Sequence, residues 1–158
     1  MIATRPGLSP AGLVAEEIQR YEALLQVLEA ESAALCRLDY VALQHAADAK
    51  QDVVANLELL AREREVQVRA QGYALTENGI RRWLAASDAR DDGAWDRLRK
   101  VARAARDANA RNGRMLARSN QHFSSALHAL LDAAGVPSVY GADGTARRPS
   151  SSRVHAAT

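Results

Sequence analysis

Apolar side chains recur at alternating steps of four and three from Val14 through Ile18, Tyr21, Leu25 and Leu28, and Ser32 and Leu35 continue the row. Such a row lies along one side of an α-helix with coiled-coil spacing. Ser9 followed by Pro10 predicts where it starts, with a capping side chain ahead of a proline whose missing N–H has no intrahelical partner to lose. Asp39 offers a second N-cap, and Leu43, Ala47, Lys50, Val54, Leu57, Ala61, Arg64 and Val68 repeat the alternation up to Gly72. The pattern predicts helices over 9–37 and 40–71. Their link is too short to run back along a helix, which makes them antiparallel neighbours, a helical hairpin.

Residues 72–93 read as a connector with Gly72, Asn78, Gly79, Ser87 and an Asp-Asp-Gly turn, inside which Thr76 caps a short helix over 77–86 carrying Ile80, Trp83 and Leu84. Trp83 is expected to fold over the end of the bundle. Asp92 then caps a third long helix over 92–134, whose inward positions read Trp95, Leu98, Ala102, Ala105, Asn109, Asn112, Leu116, Phe123, Leu127 and Leu130 before Gly135-Val136-Pro137 ends it. Gly113 lies inside this helix and makes a kink feasible there. Residues 138–158, rich in serine, glycine and arginine, read as a disordered tail after a helical domain over 1–137.

Composition supports the all-α class. The chain of 158 residues holds 33 alanines and 18 leucines against three isoleucines, four threonines and seven aromatics, so a sheet core is poorly supplied. Prolines stand only at 6, 10, 137 and 149, leaving every predicted helix interior intact. No apolar run approaches the roughly 20 residues of a membrane span. Met1 to Pro10 lacks the apolar core of a secretory signal, and the single cysteine, Cys36, excludes an internal disulfide; both point to the cytoplasm.

Charge is unevenly placed within a net +2. Five glutamates accompany one arginine between Glu16 and Glu31, whereas eight basic residues accompany only Asp107 between Arg97 and Arg118. The basic stretch is either a solvated face partly neutralised by the acidic first helix or an attractor for an acidic partner. A nucleic-acid-binding use of this face is disfavoured because it contains no aromatic residue on which bases could stack.

Helix lengths carry a further consequence. At 1.5 Å per residue the three long helices would measure roughly 42, 48 and 64 Å, so the last turns of the third outrun the hairpin. Those turns hold Phe123, Leu127, Leu130 and Leu131. An apolar stripe left over in this way suits an amphipathic helix of another protein, unless the connector helix or the mate in a homodimer covers it.

Catalytic chemistry is not evident. His45, His122, His128 and His155 never share the spacing that sets two metal ligands on one helix face, no Glu-x-x-His pair exists, and Cys36 has no histidine near it in sequence. Neither an enzyme nor a metal or cofactor site is expected. Lys50, Arg64, Asn109 and Asn112 at seam positions read as polar devices that fix helix register.

Several residues resemble one family, the FlgN family of flagellar export chaperones. They are Glu31, Leu35, Asp39, Leu43, Lys50, Leu57, Leu60 and Arg64, then Asn109-Ala-Arg-Asn112-Gly-Arg-Met115-Leu116, and most specifically Val139-Tyr140-Gly141-Ala142-Asp143-Gly144, similar to the family's Tyr-Gly-x-Asp-Gly motif. The arginine-rich face and the extension after Gly144 depart from it. The resemblance implies a cytoplasmic, ATP-independent chaperone for the hook-associated proteins of the hook-filament junction, shielding their amphipathic terminal helices. It also implies delivery to the flagellar type III export gate, with Tyr140 in the gate-binding position. The geometric reading offers Phe123, Leu127, Leu130 and Leu131 as the client-binding residues. A passive coiled-coil subunit of a secretion apparatus is the rival reading.

Overall fold

The computed structural model describes residues 7–87 and 93–134. Among them are four helices and no strand: α1 (Pro10–Arg37), α2 (Tyr40–Ala70), α3 (Glu77–Ala86) and α4 (Ala94–Ala133). The chain divides into two units, Met1–Met115 and Leu116–Thr158.

Local chemistry sets the ends of the first three helices. Ser9 Oγ accepts from the Gly12 amide at 3.1 Å with Pro10 in the first turn, Asp39 Oδ1 accepts from Ala42 at 3.0 Å, and Thr76 Oγ1 accepts from Gly79 at 3.1 Å. Each cap satisfies an amide that the helix itself leaves open. Between α1 and α2 only Leu38 and Asp39 intervene. Leu38 takes a left-handed conformation (φ 54°), and the Asp39 amide returns to the Ala34 carbonyl at 3.0 Å, so the chain reverses in two residues. The expected cap at Asp92 and the tail from 138 lie outside the described residues.

In the first unit α1 and α2 form the antiparallel hairpin. Glu17 pairs with Arg64 and Glu31 with Lys50, equal and opposite steps along the two helices that fix a single register. The first part of α4 runs parallel to α1, as Trp95 and Leu98 join Leu13 and Val14 while Asn112 reaches Leu28. One core seals the end where α1 begins: Leu13, Val14, Ile18, Val68, Ile80, Trp83, Leu84, Trp95 and Leu98. Trp83 is completely buried there, as expected from the sequence. A second core continues along the bundle through Leu24, Leu28, Leu57, Ala105 and Ala108.

The inward face of α4 departs from the expected row. Asn109 is exposed and Ala108 is buried in its place, because the row steps three and then four from Ala105 to Ala108 and Asn112. At about 100° per residue, one position is enough to swing a side chain out of the seam. Val54 on α2 is likewise exposed, as are Leu116, Phe123, Leu127 and Leu130 on α4. Past Asn112 the inward face of the first unit ends at Met115, which is half-buried and receives the Ser32 hydroxyl at 3.8 Å. α4 continues as α-helix through Gly113.

The second unit is described from Leu116 to Ala134, nearly all of it the remainder of α4.

Candidate functional site

Two buried polar clusters hold the first unit in register. In one, the Glu31 carboxylate receives Lys50 Nζ at 2.5 Å on one oxygen and Asn112 Nδ2 at 2.9 Å on the other, while the same Asn112 amide donates to the Leu28 carbonyl at 2.8 Å. Three helices meet on one carboxylate. In the other, Arg64 donates from Nε to Glu17 Oε1 at 2.6 Å and from the guanidinium end to Oε2 at 3.3 Å, and its guanidinium lies 5.2 Å from the Trp95 ring centre. Again α1, α2 and α4 are joined. Burial raises the pKa of the Glu17 carboxyl, against the opposing pull of Arg64. It also raises that of the Tyr21 hydroxyl, helped by the Glu17 charge.

These clusters fit a register role rather than a binding one, since their hydrogen-bonding groups point at one another. The sequence singled out Lys50, Arg64 and Asn112 for that role. It did not mark Glu17, and it marked Glu31 only through the family resemblance, because acids on a helix read as solvated until a neighbour buries them. Asn109 takes no part.

The four residues expected to bind a client lie on the later turns of α4. Phe123 is 69% exposed, Leu127 47% and Leu130 68%, with Leu131 half-buried. Their i, i+4, i+7 and i+8 spacing places them on one face. The apolar residues of the connector helix α3, Ile80, Trp83 and Leu84, are packed into the core around Leu13 and Trp95. Tyr140 lies outside the described residues.

A second open surface belongs to the first unit. A groove of about 910 Å³ is floored by Tyr21, Leu24 and Leu28 of α1 and walled by Ala47 to Val54 of α2 and Arg99 to Asn109 of α4. The acidic first helix neutralises little of the basic stretch. Arg97 meets Glu22 at 2.7 Å and Arg99 meets Glu77 of α3 at 2.5 Å. At the start of α4, Arg81 bridges to Asp96 at 2.5 Å, which lowers the Asp96 carboxyl below its ordinary value.

The described residues thus form helices and no strand, with two polar clusters turned inward and apolar side chains exposed on α4. The family model described as FlgN protein matches residues 9–148, and the chain belongs to the FlgN family, a family of flagellar export chaperones. No curated protein and no solved structure gives a significant match. No helix among the described residues is long and apolar enough to cross a membrane.

Proposed function

We propose that the protein is a cytoplasmic, ATP-independent export chaperone that shields the amphipathic terminal helices of hook-associated proteins and hands them to the flagellar type III export gate. The observation that carries this reading is the exposure of Phe123, Leu127 and Leu130 along one face of α4. An amphipathic helix laid on such a stripe loses its aggregation-prone face to the chaperone without any bond being made or broken. Release needs only a competing site. Tyr140, in the matching position of the family's tail motif, is the residue for docking at the gate, where an aromatic body and a hydroxyl tip can fill a pocket and bond at its rim.

Titration calorimetry with the terminal helix of a hook-associated protein tests the first step. Leu127→Ser combined with Leu130→Ser is expected to weaken capture by about 2 kcal/mol, near thirtyfold, with helicity unchanged. Unchanged affinity would place the client elsewhere, and a loss of helicity would assign the stripe to the core.

A further inference from the structure

In the first unit, α4 from Ala94 to Met115 carries seven basic side chains against Asp96 and Asp107, whereas α1 and α2 together carry ten acids against six bases. Two of the seven are engaged, Arg97 by Glu22 and Arg99 by Glu77. Lys100, Arg103, Arg106, Arg111 and Arg114 are all exposed and have no ion pair among the described residues. At about 100° per residue, Lys100, Arg103, Arg111 and Arg114 fall within about 80° of one another, on the side of α4 turned away from the buried Leu98, Ala105, Ala108 and Asn112. They form a row about 21 Å long with Arg106 beside it. Asp107 is the one acid inside the row, and Asp96, a turn before it, is bonded to Arg81. Like charges so close along a helix repel, and a surface of opposite charge removes that repulsion.

We propose that this row docks the first unit on an anionic phospholipid bilayer, lying on the headgroup phosphates without entering the hydrocarbon. The arc of the row holds no apolar side chain, so it offers a protein partner no anchor to bury. A bilayer needs none, because its anionic lipids diffuse to whatever charges approach and each cation adds its own attraction. The acid excess of α1 and α2 is repelled by the same surface, which leaves α4 as the face of approach. Charge selects this occupant over the chain's own remaining segment, since residues 135–158 hold the single acidic side chain Asp143 against Arg147, Arg148 and Arg153. It is favoured over a nucleic-acid strand because no aromatic side chain stands between Arg97 and Arg118 for bases to stack on. The inference rests on neither the client stripe nor the export gate.

The test sediments the full chain with vesicles of phosphatidylcholine, either pure or containing about one third phosphatidylglycerol. At low salt, partitioning is expected to be about a hundredfold stronger on the anionic vesicles, and the difference should fade as salt approaches about 0.5 M. Each cation near such a surface accounts for about a fivefold change, so Arg111→Gln with Arg114→Gln should weaken binding about twentyfold and Asp107→Asn should strengthen it about fivefold. Arg62→Gln with Arg69→Gln removes the same charge from exposed positions on α2 and should leave binding within about twofold. Circular dichroism of each variant keeps folding separate from binding. Equal partitioning on the two vesicle types overturns the proposal, as does parent-like binding by the Arg111→Gln/Arg114→Gln or the Asp107→Asn variant. So does an equal loss in the Arg62→Gln/Arg69→Gln variant, or a preference for duplex RNA over the anionic vesicles at equal phosphate concentration.

Discussion

Asn112 on α4 holds the Glu31 carboxylate of α1 at 2.9 Å, on the oxygen that Lys50 leaves open. Both residues are buried, so the hydrogen bond acts where water cannot replace it. Asn112→Ala is expected to destabilise the fold by about 2 kcal/mol, because a buried acceptor loses its donor. Asn112→Asp should cost more, since it sets a second carboxylate against the first. Urea unfolding monitored by tryptophan fluorescence checks both, and equal stabilities would remove the cluster from the account of register.

The Glu17 and Arg64 pair should behave differently when broken and when replaced. Arg64→Ala leaves a buried carboxylate without its cation and takes the guanidinium away from Trp95, at an expected cost of about 3–5 kcal/mol. Glu17→Leu with Arg64→Met should recover most of that loss, as apolar side chains of similar volume need no partner. Chemical denaturation of the single and double variants measures the difference.

Acid should reveal Glu17 itself. Its pKa is raised in the folded protein by burial, so the folded state holds this proton more tightly than the unfolded chain does. The resulting stabilisation is complete below the ordinary carboxyl value and is lost as pH rises through the raised one. The stability of the parent protein relative to Glu17→Gln is therefore expected to fall across that window. Denaturant midpoints for the two proteins over the acidic range decide it, and a difference that grows with pH would reverse the sign.

Two glycines in helices should respond in opposite directions to alanine. At Gly79 an added Cβ would meet the Ala74 carbonyl, so Gly79→Ala is expected to destabilise by about 1–3 kcal/mol despite alanine's helix preference. At Gly113 nothing lies within 4 Å of the new atom, and Gly113→Ala should stabilise by about 0.5–1 kcal/mol. Thermal unfolding of the two variants side by side checks the contrast.

Under the proposed function, Tyr140→Ala should separate capture from delivery. It is expected to leave the unfolding temperature and client affinity nearly unchanged while impairing association with the isolated cytoplasmic domain of the export gate, measured with client present. Parent-like gate binding would take Tyr140 out of the mechanism, and a lowered unfolding temperature would make it a staple on the bundle.

The sequence by itself determined the helices, their caps at Ser9, Asp39 and Thr76, and the pairing of α1 with α2, because periodicity and capping are local properties. It also marked Lys50, Arg64 and Asn112, since a polar residue in an apolar row is conspicuous. Only the tertiary structure decided which acids receive them. Glu17 and Glu31 stand seven residues either side of Leu24, but acids at such positions are buried only where neighbours meet them, and it is the approach of α2 and α4 that does so. The register of α4 was decided there too, for Ala108 and Asn109 differ by about 100° around one helix and only the face that α1 presents selects between them. The groove arises in the same way: Val54 lies on α2 and Arg103 and Arg106 on α4, and a concave surface exists only once those helices are placed side by side.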